Sequence, residues 1–109
     1  MDTTTLSAFA ESNRLKIIDL LRDGPLTVGE IANRLQIRQP QASKHLRVLS
    51  DAGIVTAEVN GNRRIYHLRS EPFIQLDNWL ASYRKIWDEK FNNLDDYLKK
   101  MQKENENKE

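Results

Sequence analysis

A mainly α fold carrying one β-hairpin is what three features of this 109-residue sequence predict. Several segments repeat apolar residues at helical spacing. One pair of stretches rich in β-branched and aromatic residues flanks an Asn-Gly turn. Two of the helical segments, one on each side of Gln36–Arg38, are joined by only a short break. The expected order is four helices, a hairpin and one long helix, an α+β arrangement in which the strands are the smaller part.

TTTLSAFA, residues 3–10, reads as a short helix with Leu6 and Phe9 on one side. Ser12 or Asn13 offers an N-cap for a second helix, whose wide apolar face is Leu15, Ile17, Ile18, Leu20 and Leu21 and which Gly24 and Pro25 stop. TVGE places Thr27 and Glu30 in a capping-box pattern that opens a third helix with Ile31, Ala32 and Leu35. After the break comes QPQASKHLRVLSDAG, residues 39–53. It has Pro40 in its first turn, where a missing N–H costs nothing, and Gly53 at its end. Ala42, Leu46 and Leu49 recur at helical spacing and are expected to face inward. Two helices so closely joined form a helix-turn-helix.

IVTAEV and RRIYHL follow, joined by NGN, where Gly61 supplies a positive φ at little cost. Ser70 or Glu71 with Pro72 then opens one long helix to about Met101. No linker or repeat divides residues 1–101, which read as a single domain, while QKENENKE, residues 102–109, reads as a polar disordered tail.

Composition narrows the function classes. Without cysteine there are no disulfides, thiolate metal sites or cysteine nucleophiles. No apolar run approaches the roughly 20 residues that span a bilayer, and the N-terminus lacks a signal-peptide pattern, so no membrane span and a cytoplasmic location are expected. Paired histidines and a phosphate-binding glycine loop are missing too, which makes an enzyme the weakest reading. The formal charge of +1 is unevenly spread. Residues 34–69 hold seven basic and two acidic side chains, whereas residues 70–109 hold seven basic and nine acidic. The middle of the chain is the part suited to phosphate.

A helix-turn-helix followed at once by a hairpin is a winged helix-turn-helix, and in that docking mode the second helix enters the major groove of double-stranded DNA with its N-terminal residues at base edges. Gln39 and Gln41 stand there, and a Gln side chain can pair with N6 and N7 of adenine. Ser43 suits a base or a phosphate, and Lys44 and Arg47 suit the backbone. Arg63 and Arg64, just past the hairpin turn, are placed for a neighbouring groove or phosphate. His45 borders the buried face, either packed against the protein or in contact with DNA.

RLKIIDLLRDGPLTVGEIANRL, QPQASKHLRVLSDAGIV and GNRRIYHL together resemble the ArsR family of winged-helix transcriptional regulators. The S-x-H-L-x-x-L pattern of Ser43, His45, Leu46 and Leu49, followed by AGIV and a basic hairpin, carries the resemblance. It implies a homodimer on operator DNA, usually a repressor released by a signal, here an unknown effector or regulatory protein. Two departures stand out. Family members that sense thiophilic metals carry a cysteine motif where this chain has LTVGEIA, residues 26–32, and neither His45 nor His67 lies on the last helix. Asp88, Glu89, Asp95 and Asp96 read as solvated helix charges, so neither metal nor other cofactor is expected. The WLASYRKIWDE run, residues 79–89, resembles a branch of the family without metal ligands.

Arg38 is the second departure, standing where the family has Ser or Thr before the recognition helix. A hydroxyl N-cap is worth about 1 kcal/mol, and Arg has no acceptor to replace it. Arg38 is therefore expected to meet phosphate instead. Arg38→Ser should raise stability by about 1 kcal/mol and flatten the salt dependence of DNA binding; unchanged affinity and salt slope would remove the phosphate role.

The final helix carries Phe73, Leu76, Leu80, Tyr83, Trp87, Phe91, Leu94, Leu98 and Met101 at spacings of three and four, widened by Trp79, Ile86 and Tyr97. At 1.5 Å per residue it spans roughly 43 Å, more than so small a domain needs to cover its own core. The expected dimer interface is Leu6, Phe9, Leu76, Trp79, Leu80, Tyr83, Trp87, Phe91 and Leu94. The rival from another class is a winged helix that binds a protein through its hairpin and last helix; such a module would turn acidic or apolar residues outward where Gln41, Lys44 and Arg47 stand.

Overall fold

Side-chain caps and glycines set most of the element boundaries. In the computed structural model, which describes residues 1–107, α1 (Thr3–Phe9) begins where the Asp2 carboxylate accepts from the Thr4 N–H at 3.1 Å. The cap of α2 (Ser12–Arg22) is neither Ser12 nor Asn13, as expected, but Glu11, whose carboxylate accepts from the Arg14 N–H at 2.8 Å. Glu11 is extended, so its longer side chain reaches the third N–H of the helix. Arg14 in turn ties α2 to α1, its Nε donating to the Ala8 carbonyl at 2.8 Å.

β1 (Leu26–Thr27) leads into α3 (Val28–Leu35) through the predicted capping box: Thr27 Oγ1 accepts from the Glu30 N–H at 3.2 Å, and Glu30 accepts from the Thr27 N–H at 3.1 Å. Both capping carboxylates are held below the ordinary value of 4.5, first by a backbone N–H, that of Arg14 for Glu11 and that of Thr27 for Glu30. A folded pKa below the unfolded one contributes stability above pH 4.5 that is lost as pH falls through the folded value. Urea midpoints taken from pH 7 down to 3 should therefore fall less steeply in Glu11→Gln/Glu30→Gln than in the natural sequence. Identical profiles would mean the caps carry no such linkage.

The helix-turn-helix bend is made by Gln36, at φ 56 the one non-glycine residue with positive φ among those described, with the Ile37 N–H donating back to the Ala32 carbonyl at 3.1 Å. α4 (Gln39–Asp51) follows and ends at Ala52, with Gly53 at φ 76. β2 (Val55–Asn60) and β3 (Arg63–Leu68) form the hairpin. Its tight turn is Gly61-Asn62, one residue beyond the Asn60-Gly61 signal, and of these two only Gly61 has positive φ. β1 pairs with β3, Leu26 opposite Tyr66, so the wing belongs to a three-stranded antiparallel sheet of order β1-β3-β2. Two hydrogen bonds root it: the Ile54 N–H donates to the Leu49 carbonyl at 2.9 Å, and the Arg69 N–H to the Ile54 carbonyl at 2.8 Å.

Ile17, Ile31, Ala42, Leu46, Leu49 and Ile54 are fully buried and form the centre of the core, with Leu26, Val55 and Tyr66 supplied by the sheet. The expected apolar face of α2 is narrower than its composition: Ile17, Ile18 and Leu21 are buried, but Leu15, on the edge of that stripe, is half exposed.

The long C-terminal helix expected to reach Met101 unbroken is two helices, α5 (Glu71–Ala81) and α6 (Arg84–Asn107). Ser82 Oγ donates to the Trp79 carbonyl at 2.6 Å and the Tyr83 N–H to the Leu80 carbonyl at 3.0 Å, tightening the last turn of α5 into i→i−3 bonds that end the α-helical ladder. Helix continues past Met101 to Asn107, through most of the polar segment 102–109; the last two of those residues lie outside the described ones. The chain divides into two units, Met1–Leu76 and Asp77–Glu109. The first holds the helix-turn-helix, the sheet and the start of α5. In the second, Tyr83, Ile86, Phe91, Leu94, Tyr97, Leu98 and Met101 are all 45–65% exposed. No helix among the described residues is long and apolar enough to cross a membrane.

Candidate nucleic-acid interface

Three fully buried residues of α4, Ala42, Leu46 and Leu49, lock the helix to the core and thereby decide what its other side shows. Gln39, Pro40, Gln41, Ser43, Lys44 and Arg47 are all exposed, as is Arg38 at the N-cap. Arg38 offers no acceptor, so the usual bond to the third N–H of the helix is missing. The reciprocal half survives: the Arg38 N–H donates to the Gln41 side-chain oxygen at 3.2 Å. His45 stands apart from this row. Only 22% of its side chain is exposed, and its Nδ1 lies 3.6 Å from the Glu11 carboxylate, so it braces α4 against the start of α2.

The pleat of the wing sorts its two arginines. Val55, Ala57 and Val59 pair with Leu68, Tyr66 and Arg64, and because Tyr66 is buried this face looks toward the core. Arg63, Ile65 and His67 occupy the opposite face, where the His67 Nε2 sits 3.0 Å from the Glu58 carboxylate. Arg64 consequently lines a notch of about 440 Å³ with Ser43, Arg47 and Ser50 of α4, floored by Leu46 and Tyr66. Asp51 also lines it. Arg63 instead lends its positive charge to Glu30, one of the influences lowering that carboxyl. Arg63 and Arg64, named together from the sequence, thus have different surroundings.

Ser50 is a hydroxyl-bearing residue of this notch that sequence reasoning passed over. Its signal was available, since Ser43, Arg47 and Ser50 follow one another at spacings of four and three along α4. Among the described residues none of Arg38, Lys44, Arg47, Arg63 and Arg64 has a carboxylate within ion-pair distance. With Asp51 at the edge of the notch and Glu30 near Arg63 as acidic neighbours, the surface is predominantly cationic.

The expected interface residues of the termini are distributed as follows. Phe9 packs edge-on against Phe73, ring centres 5.6 Å apart, and is partly buried, as are Leu6, Leu76 and Trp87. Trp79, Leu80, Tyr83, Phe91 and Leu94 are exposed, with Trp79 and Tyr83 edge-on at 5.4 Å across the break between α5 and α6.

A buried helix-turn-helix whose second helix is polar outward, followed directly by a β wing, defines a winged helix-turn-helix protein. Residues 11–57 match the family described as bacterial regulatory protein, arsR family. The chain is 32% identical over 76 residues to the transcriptional repressor SdpR of Bacillus subtilis, covering 70% of this chain and 84% of that one. It belongs to the arsR family. It is also 43% identical over 61 residues to the HTH-type transcriptional regulator Rv2034 of Mycobacterium tuberculosis, a match over 56% of this chain that spans 57% of that protein. The solution structure of the homodimeric winged helix-turn-helix DNA-binding domain Mb0332 from Mycobacterium bovis, a possible ArsR-family transcriptional regulator, is similar with a TM-score of 0.63 at 29% identity, over 75% of this chain and 79% of that one.

Proposed function

We propose that the protein is a homodimeric, sequence-specific DNA-binding repressor that reads an inverted-repeat operator in the major groove. The observation that carries this reading is the cationic and amide surface of α4, whose Lys44 and Arg47 make no ion pair among the described residues, continued across the notch by Arg64 of the wing. In this reading Gln39, Gln41 and Ser43 meet base edges, and Arg38, Lys44, Arg47 and Arg64 meet phosphate. Repression follows the character of SdpR, and dimerisation that of the Mycobacterium bovis domain. The exposed apolar side of α6 supports pairing with a second copy, since its stripe is wider than a lone surface helix needs. A two-fold dimer sets two recognition helices about one DNA turn apart or a multiple of it. Release comes from an effector that does not act through a thiolate, as the chain has no cysteine. The protein acts in the cytoplasm, where the operator is.

Selection of bound duplexes from random DNA by the purified full chain, repeated at several salt concentrations, tests the reading. An enriched inverted repeat and a steep fall of affinity with salt are expected. No enrichment together with a shallow salt slope would instead favour a protein-interaction module.

A further inference from the structure

We infer that α6 meets α6 of the second copy as a parallel, in-register pair, with Lys90 of each chain bonded to Asp95 of the partner subunit. The inference rests on the homodimer proposed above and specifies the direction and register of one of its contacts.

An apolar stripe alone does not set direction, because two helices can bury it running either way; the side chains that flank the stripe decide. In α6, Trp87, Phe91, Leu94, Leu98 and Met101 follow one another at spacings of four and three. That is the d and a alternation of a heptad repeat, and all but Trp87 are 45–65% exposed in the single chain. It assigns Lys90 and Tyr97 to g positions, Asp88, Asp95 and Gln102 to e positions, and Asn105 to the next a position.

In a parallel pair each g residue faces the e residue five further along the other chain. Lys90 then meets Asp95 of the partner subunit, and the two-fold axis repeats the contact. Tyr97 meets Gln102 of the partner subunit, and no like charges meet along the seam. Lys90 has no acid to bond on its own helix, since Ile86, Trp87, Asn93 and Leu94 stand three and four residues away, and it makes no ion pair among the described residues. Asp95 engages Lys99 through Oδ2 at 3.2 Å, which leaves Oδ1 to accept from the partner. Past the apolar residues, Asn105 falls opposite Asn105 of the partner subunit, where the two amides can bond each other; a single Asn at an a position is a device that fixes register.

Two antiparallel seatings keep most of the stripe together, and both are poorer. With Phe91 opposite Leu94 of the partner subunit, Asp88 comes beside Asp95 of the partner subunit, twice over. With Leu94 opposite Leu98 of the partner subunit, the two Asp95 side chains meet at the axis and Asn105 is set against Trp87 of the partner subunit. A bond from Lys90 to Glu104 of the partner subunit is the one compensation there.

The test uses the full chain, which has no cysteine, so each introduced thiol is the one thiol of its variant. Under mild oxidation by glutathione disulfide, Phe91→Cys and Met101→Cys should each cross-link to the same position of the partner subunit, because parallel pairing brings both within the roughly 7 Å between Cα atoms that a disulfide spans. In either antiparallel seating the two copies of residue 101 lie about 15 Å or more apart along the axis, and Met101→Cys cannot cross-link to itself. Asp95→Lys should weaken dimerisation by about tenfold, two attractions becoming repulsions, with helix content by circular dichroism unchanged. Adding Lys90→Glu to the same chain should restore the dimer. Asp95→Lys that tightens the dimer or leaves it unchanged overturns the inference, as does Met101→Cys that stays uncross-linked while light scattering shows it dimeric; either result leaves the dimer standing. Should Met101→Cys itself be monomeric, the charge variants decide. A natural protein that is monomeric at micromolar concentration overturns the dimer, and this inference with it.

Discussion

Leu94→Glu is expected to leave the protein folded but monomeric, and to lower its operator affinity by roughly a hundredfold or more. Leu94 is 52% exposed in the single chain, so Glu there displaces nothing from the protomer's own core, and Glu is a good helix former. In the proposed dimer the same position is buried against a second copy. Losing a buried Leu costs about 1.5–3 kcal/mol per chain, and the new carboxylates add desolvation and mutual repulsion. Two copies make the loss twofold. A monomeric protein then engages one half-site at a time and gives up the gain from linked binding. Light scattering at micromolar concentration, circular dichroism and operator titration together check this. A Leu94→Glu protein that remains dimeric with its affinity intact would remove α6 from the interface.

Arg64→Ala and Arg47→Ala should each weaken operator binding by about tenfold and reduce the salt slope by about one unit, uniformly across operator sequences. The two side chains line one notch from different elements. If they hold the same phosphate, the double variant will lose less than the product of the single losses, the coupling expected of residues that share a partner. Arg63→Ala should lose less than Arg64→Ala, because the pleat puts Arg63 on the side of Glu30. Titrations at several salt concentrations decide the matter; equal losses at the two wing positions would mean that the strand register does not govern the contact.

What could be read from the residues follows physical range. The start and end of α4 were legible because Pro40 and Gly53 act through their own backbone chemistry, and its buried face because Ala42, Leu46 and Leu49 repeat with the helix. β3 was legible because RRIYHL has strand composition and begins at a turn. β1 was not, since two residues carry no period. The break between α5 and α6 was hidden because the apolar spacing runs on through Ser82, whose hydroxyl acts only locally on the Trp79 carbonyl. Glu11 was missed as a cap because Ser12 and Asn13 have stronger intrinsic preference, whereas reach decides the matter. Within the candidate site, residue types pointed to α4 and the wing, yet which arginine faces α4 depends on a register that one residue in the turn would reverse.

The root of the wing has a mechanical meaning. Ile54 is hydrogen-bonded to Leu49 at the end of α4 and to Arg69 at the exit of β3, so α4 and the hairpin are joined at one buried residue and turn together. Six residues of β3 make an arm of roughly 20 Å. A rotation of α4 by roughly 5° therefore carries the wing tip about 2 Å, enough to break a hydrogen bond. On the proposed reading of α4 and the wing, tilting this lever a few degrees is expected to disengage base and phosphate contacts together.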